Sequence, residues 1–403
     1  MIPALRFSKF KSEYLPKTID EVAKVTSGGT PSRAKADYWN GHIPWVTTSQ
    51  INFEDITAAD EYITDLGLKN SSAKLFPKGT ILLALYGQGI TRGRVSVLEI
   101  EATTNQACAA IILKSEDVNT RFTFYYLQSK YEDIRNLAND GGQKNLSGGL
   151  VKNLSVVLPS DVMEQAKVAD FLTSVDKKIS QLTEKHRLLK DYKKGVMQQI
   201  FSRKIRFKGD DGNDFPNWNE YSLRDILILQ SDALKMDDEA TYELITVKRG
   251  FGGVKSRGHF KGKDVLVKSQ FTIHKGEFVI SKRQIVHGAC GLVPEELDGA
   301  VVSNEYNVFR PQPTKLDIDY FNRLSTTLYM RRAFFINSDG VHIEKLLFKT
   351  QSWLKTKVQL PCLKEQQKIA QFLQSLDKKI DAVNEQIEQT KLFKKGLLQQ
   401  MFV

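Results

Sequence analysis

The sequence predicts an α+β chain made by duplication: two mixed α/β domains, each followed by a long helix, with the two helices paired as a coiled coil. Three observations carry this reading. The stretch Glu164–Ser202 returns at the end of the chain as Glu365–Val403, without a gap and with about half of its positions identical. Each copy follows a Leu-Pro pair, Leu158-Pro159 and Leu360-Pro361. The regions ahead of the copies, 18–157 and 219–359, are of nearly equal length and echo each other. Self-similarity of this kind marks repeated structural units.

Taken in order, residues 1–17 form a segment whose Leu5-Arg6-Phe7 echoes Ile205-Arg206-Phe207, so it corresponds to the later connection 203–218. The first domain, 18–157, carries apolar, Gly-punctuated runs at Thr80–Leu85 and Ala107–Leu113 that read as strands, then a helical stretch near Thr123–Leu137. The first repeat helix lies within 158–202. Its apolar stripe is Val168, Leu172, Val175, Ile179, Leu182, His186, Leu189, Lys193, Val196, Ile200, in alternating steps of four and three, the seam of a heptad pattern. His186 is expected to fix register, and Lys193, like Lys394 at the matching position of the second copy, to snorkel out of the seam.

The connection 203–218 is rich in Gly, Asp and Asn and reads as a surface link, with Trp218 anchoring the second domain. That domain, 219–359, has strand runs at Phe278–Ser281 and Ala300–Val302 and a helical stretch near Asp319–Phe335. Ile43–Gln50 aligns with Tyr242–Arg249, Lys78–Leu83 with Lys275–Ile280, and Asn105 with Asn304. The last helix, within 360–403, has the seam Ile369, Leu373, Leu376, Ile380, Val383, Ile387, Thr390, Lys394, Leu397, Met401. Each helix is expected to run roughly 35 residues, about 50 Å at 1.5 Å per residue. Neither can bury its seam alone, so the natural partner is the other copy. Closed head to tail, the chain would have an approximate twofold axis.

Lysine and arginine number 58 against 47 acids, a net charge of +11. That excess favours a polyanionic partner, because neutralising phosphates releases counterions. The three cysteines, Cys108, Cys290 and Cys362, make no close pair and point to a reducing compartment, the cytoplasm. No apolar run reaches the roughly 20 residues of a membrane span.

Reading bases directly needs two-pronged side chains: Arg or Lys for guanine, Asn or Gln for adenine. The second domain offers Lys248-Arg249, followed by Lys255, Arg257 and His259, in a stretch rich in both glycine and positive charge. Lys282-Arg283-Gln284 closes an apolar strand and forms a second candidate group. By alignment the first domain presents Thr47, Thr48, Ser49 and Gln50, then Tyr86 and Gln88, with Arg92, Arg94 and Lys144. These differ from their counterparts, so if both domains read DNA they should read different sequences. Gly28–Arg33 and Gly141–Asn145 read as turns or phosphate contacts. The sequence holds no G-x-x-x-x-G-K-[ST] loop and no G-x-G-x-x-G opening a βαβ unit. The six histidines form no metal-ligand cluster, and Glu54-Asp55 and Glu295-Glu296 lie in polar stretches, so neither metal nor catalytic site is expected.

Two variable domains separated by near-identical long helices resemble the specificity subunits of type I restriction–modification enzymes. The Leu-Pro…Glu-Gln lead into each helix (Leu158–Gln165, Leu360–Gln366), Phe215 to Trp218, and the run from Tyr38 to Trp45 carry the resemblance over nearly the whole chain. The resemblance implies a non-catalytic subunit in which each domain reads half of a split double-stranded DNA target. It implies that the helices pair antiparallel, as a ruler and as the platform for two methyltransferase subunits, with restriction (motor-nuclease) subunits joining. S-adenosylmethionine, ATP and magnesium would then sit on those partners and no cofactor on this chain. The Asn/Asp-Pro-Pro-aromatic loop usual in amino-methyltransferases is missing here. Two readings compete with that of a non-catalytic subunit: a diverged nuclease or methyltransferase that acts alone, which the missing motifs argue against, and a stand-alone coiled-coil DNA-binding regulator or scaffold without a methyltransferase partner.

Overall fold

The computed structural model describes residues 2–87, 90–137, 145–340, 342 and 346–403. The repeats form helices Val162–Phe201 and Leu363–Met401, of 40 and 39 residues, longer than the seam alone suggested. Chain contacts divide the protein into two units, Met1–Glu184 with Asn384–Val403, and Lys185–Val383, so each helix gives one half to each unit. In the first unit Val168, Leu172 and Val175, near the start of one helix, share a core with Leu397, Met401 and Phe402 at the end of the other. In the second unit Ile200, from the end of the first helix, shares a core with Ile369, Leu373 and Leu376. Start packs with end in both, so the pairing is antiparallel.

The seam is buried along the second helix at Ile369, Leu373, Leu376, Ile380, Val383, Ile387, Leu397 and Met401. On the first helix Leu182 is buried, while Ile179, His186 and Leu189 are half-buried. The expected snorkelling of the seam lysines is corrected. Lys394 is 9% exposed and its ammonium meets Asp176 at 2.6 Å, while Lys193 pairs with Asp377. In antiparallel register each lysine faces a carboxylate, so its charge is met inside the pair.

Each unit carries the same three β assemblies. In the first, an antiparallel pair joins Tyr14–Thr18 to Ser155–Pro159. A four-stranded sheet runs Ala23–Ser27, Cys108–Leu113, Ile81–Ala84, Val95–Val97, and another runs Glu61–Ile63, Trp39–Val46, Ala102–Thr104, Leu75–Phe76. In the second unit the pair is Asn219–Ser222 with Lys357–Leu360. The sheets are Leu227–Gln230, Tyr306–Pro311, Phe278–Ser281, Cys290–Leu292, and Val254–Lys261, Thr241–Val247, Val301–Ser303, Ser269–Thr272, with one more edge strand, Ala233–Lys235. Each second sheet has a single parallel pairing, Trp45 against Thr103 and Leu244 against Val301; the sequence echo aligns Trp45 with Leu244, and their partners fall one position apart.

The strand Ile81–Ala84 is apolar throughout because it lies between two cores. Ile81 and Leu83 join the core of the long helices, and Leu82 and Ala84 the core of the other sheet, as a period of two requires. Phe278 and Ile280 against Val279 repeat the division. The expected helical stretches are each broken in two: Thr120–Ser129 and Tyr131–Asn136, then Ile318–Ser325 and Leu328–Ile336. At the second break the Thr327 hydroxyl accepts from the Met330 N–H, a new helix start that competes with continuation.

The Glu-Gln pair opening each repeat ties its unit together. Buried Glu164 takes both prongs of Arg6 (2.6 and 2.7 Å), and buried Glu365 takes Arg206 (3.2 and 2.7 Å). Gln165 accepts from the Asn119 N–H and donates to the Pro159 carbonyl, and Gln366 does the same with Asp317 and Pro361. Phe7 packs on Phe171 and Phe207 on Phe372. The connection 203–218 is therefore anchored at Arg206 and not only a surface link, while Trp218 packs against the second unit's core as expected. Among the described residues no helix is long and apolar enough to cross a membrane.

Candidate nucleic-acid interface

In the second unit the strands Thr241–Val247 and Val254–Lys261 form a hairpin whose turn carries Lys248 and Arg249. The Lys248 N–H donates to the Gly253 carbonyl and closes the turn. Gly250, Phe251 and Gly253 all have positive φ there (68°, 60° and 73°), which glycine adopts freely and phenylalanine does not. Strand Val254–Lys261 is a sheet edge. Opposite the step from Leu244 to Ile245 it carries an extra residue, Arg257, so a bulge turns that side chain out of the ladder. Lys255, Arg257 and His259 are exposed. Charge on an edge also keeps it from pairing with another chain.

The turn is fastened to the connection after Phe278–Ser281. Gly250 N–H donates to the His287 carbonyl (2.7 Å) and Phe251 N–H to the Gly288 carbonyl (2.8 Å). This sets the turn against the end of the short helical turn Ile285–His287, which directly follows Lys282-Arg283-Gln284. Lys282 donates to the Asn304 carbonyl, and Arg283 lies 2.7 Å from Glu305, which holds its guanidinium above the usual range. The side-chain oxygen of Gln284 is shielded from solvent without a hydrogen-bond partner among the described residues. His259 is not part of this group: it is four residues beyond Lys255, roughly 13 Å along a strand, and faces Glu243 at 3.8 Å.

The first unit places its candidates at the equivalent end. Thr47 shares a hydrogen bond with Ser49 (2.6 Å), and Thr48–Gln50 form a short helical turn. The Gln50 amide donates to the Ala58 carbonyl and accepts from the Asp60 N–H, so it braces its own loop. The segment after this turn lies on strand Val95–Val97, with Phe53 N–H donating to the Val95 carbonyl (3.0 Å). This brings the segment that follows Thr47–Gln50 beside Arg94, two residues after Arg92. Both arginines are half-buried with Nε turned away from solvent, and Arg94 lies over the Phe53 ring at 5.7 Å. Tyr86 is exposed. Gln88 and Lys144, with Gly141–Gln143, fall outside the described residues.

Other sequence candidates have structural roles. Gly28 and Gly29 sit hard against Thr104 and Ser72, and Arg33 stacks 3.7 Å over Trp39 while pairing with Glu61. Asp55 pairs with Arg121, and Glu295 with Lys275. No group of metal-ligating side chains occurs among the described residues. Sequence reasoning missed Phe53 and Phe251, both held at positive φ (72° and 60°) after equivalent strands. An aromatic amid glycines was a faint signal for Phe251, and Phe53 had none.

The arrangement is two sets of basic and polar tips, each set on a rigid sheet scaffold, with different side chains on the same layout. A family model described as the type I restriction modification DNA specificity domain matches residues 11–190 and 216–391. The chain is 27% identical over 248 residues to the type I restriction enzyme MjaIX specificity subunit of Methanocaldococcus jannaschii, a match covering 58% of this chain and 56% of that relative. It is 22% identical over 401 residues to the MjaVIII specificity subunit of the same organism, covering 94% and 90%. The fold resembles the crystal structure of a type I restriction–modification S subunit from M. genitalium, with TM-score 0.60 and 16% identity over 100% of this chain and 99% of the other.

Proposed function

The chain belongs to the family of type I restriction modification DNA specificity domains, and from that we propose that it is the non-catalytic, DNA-reading subunit of a type I restriction–modification complex. Each unit reads one half of a split double-stranded target. Two methyltransferase subunits dock on the chain, and restriction subunits join them. S-adenosylmethionine, ATP and magnesium serve the partners' chemistry, and the complex works in the cytoplasm.

The observation that carries this reading is the repeated tip. In both units the loop after an inner strand of the second sheet is fastened to the neighbouring strand or connection of the other sheet, Phe251 to Gly288 and Phe53 to Val95. The side chains it presents differ, Lys248-Arg249 against Thr47–Gln50. One scaffold with two side-chain sets suits two half-sites, because base edges are distinguished by donor and acceptor pattern. The test is reconstitution with the cognate methyltransferase subunit and S-adenosylmethionine on a library of split sites. Adenine methylation confined to one bipartite sequence is expected, and none from the chain alone. Methylation or cleavage by the purified chain by itself, or methylation without sequence preference, would overturn the reading.

A further inference from the structure

Phe53 and Phe251 occupy similar places, one position apart when the two domains are aligned. Each comes after the strand next to a sheet's edge strand, Trp39–Val46 or Thr241–Val247, and each is held in the left-handed region that bulky residues rarely adopt. Each leaves the core of its own sheet and packs against the core built on the long helices. Phe53 meets Tyr131 edge-on at 5.2 Å and lies under Arg94, and Phe251 lies under Arg331 at 4.6 Å. The Phe251 ring rests on Gly288, where an added Cβ would come within 2.7 Å of it, and Gly288 itself has φ +74°. The flanking sequences, Asn52-Phe53-Glu54 and Gly250-Phe251-Gly252, share little else. Two diverged copies have thus kept the same uncommon backbone conformation, and strain of this kind persists where the surroundings over-determine it, often at sites of function.

We propose that Phe53 and Phe251 are positioning residues for target reading. Each pins the tip that precedes it, Thr47–Gln50 or Lys248-Arg249, to the adjoining strand or connection, so that the base-reading side chains are set before DNA arrives. The ring touches no base. It acts by holding Gly250 N–H and Phe251 N–H on the His287 and Gly288 carbonyls, and Phe53 N–H on the Val95 carbonyl. Preorganisation of this sort lowers the ordering cost of binding. The proposal rests on the DNA-reading function proposed for the chain.

The test uses the full chain with its methyltransferase partner and three substitutions. Phe251→Gly relieves the backbone but removes the ring, Gly288→Ala displaces the ring from below, and Phe251→Tyr keeps it. Discrimination at each half-site is measured by methylation of single-base variants of the target, and tip opening by amide hydrogen exchange without DNA. In F251G and G288A, second-half discrimination should fall roughly tenfold, the scale of one base contact. First-half discrimination and binding to unrelated DNA should hold, and F251Y should behave as wild type. The Gly250 and Phe251 amides should exchange faster in F251G and G288A while those of Phe278–Ser281 stay protected. Full second-half discrimination in a folded F251G or G288A chain, or equal loss at both halves, overturns the proposal. Should neither variant fold, the wild-type amides decide: rapid exchange at Gly250 and Phe251 also overturns it. A wild-type complex with no sequence preference, but with protected tip amides, would instead sink the DNA-reading function.

Discussion

The Lys394 ammonium, carried at a seam position of the last helix, lies 2.6 Å from the Asp176 carboxylate. Asp176 also accepts from the Tyr125 hydroxyl at 2.8 Å, and Lys394 sits 5.3 Å from the Tyr125 ring centre. The aligned residues of the two repeats exchange roles in the second unit, where Lys193 pairs with Asp377 and Arg323 lies 2.6 Å from the same carboxylate. Lys394→Ala should therefore destabilise the first unit by about 1.5–3 kcal/mol, the range for a hydrogen bond to a charged group. Lys391→Ala, which removes an exposed pair with Glu388, should cost about 0–1 kcal/mol. Denaturant unfolding of both variants checks this, and equal losses would deny the seam pair its role.

The two buried glutamates predict unequal sensitivity. Glu164 accepts from Arg6, Ser12 and Tyr14, whereas Glu365 accepts from Arg206 alone among the described residues. Arg6→Ala leaves a carboxylate with two remaining donors and should cost about 1.5–3 kcal/mol. Arg206→Ala strands a buried charge and should cost about 3–5 kcal/mol. Hydrogen exchange resolved by unit separates the two, and a larger loss in the first unit would contradict the count of donors.

Acid should act through Glu164. Burial pushes its carboxyl up, but the hydrogen bonds from Arg6, Ser12 and Tyr14 outweigh burial and hold it below the ordinary carboxylate value of 4.5. A lowered folded-state pKa gives stability that is present above pH 4.5 and lost as pH falls through the folded value. Glu164→Gln should flatten the stability of the first unit over that acid range. An unchanged acid profile would show that the carboxylate is not the group that titrates.

The repeat helices, their seam and the duplicated domains were legible because apolar periodicity and self-similarity are properties of the string. Even Trp45 and Leu244, which carry the parallel pairings, were aligned by the echo. What stayed hidden depends on partners. Lys394 looks like a residue that must reach water until the antiparallel register supplies Asp176. The split at Thr326-Thr327 is invisible to a pattern that runs on through it, and the polar edge strand Ala233–Lys235 has no apolar alternation to reveal it. Gln50 has the chemistry to read adenine, yet its loop already uses both ends of its amide. His259 belongs to the basic stretch in sequence but lies some 13 Å along the strand from Lys255.

At the second tip, phosphate and base contacts should separate by mutation. Lys255 is exposed with no ion pair among the described residues, so Lys255→Ala should weaken binding about equally on all DNA and lower the salt slope by about one. Arg249, on the pinned turn, should behave differently. Arg249→Ala should relax discrimination at one base pair by roughly 1–3 kcal/mol if its contact is two-pronged. Titrations against cognate and unrelated duplexes at several salt concentrations give both quantities. Unchanged affinity and selectivity in both variants would remove this hairpin from the interface.

The last prediction concerns exchange of a whole reading domain. The chain enters and leaves each domain through one antiparallel pair, with Thr18 opposite Ser155 in the first unit and Ser222 opposite Lys357 in the second. The ends of the intervening segment are therefore neighbours in space, the condition under which a segment can be replaced without moving its surroundings. The core beneath them is held by other groups, the Arg6–Glu164 clasp and the Gln165 bonds to Asn119 and Pro159. A chimera should keep Tyr14–Thr18 and Ser155–Pro159 and take the intervening residues from a relative. It must carry a residue other than proline at 119, whose backbone N–H Gln165 meets, and the residues at 397, 401 and 402 must still fit the incoming core. Such a chimera should fold, keep its second half-site and acquire the donor's first half-site. The measurement is methylation by the reconstituted complex on targets combining old and new halves. A folded chimera whose second half-site also changes would show that the two units do not read independently.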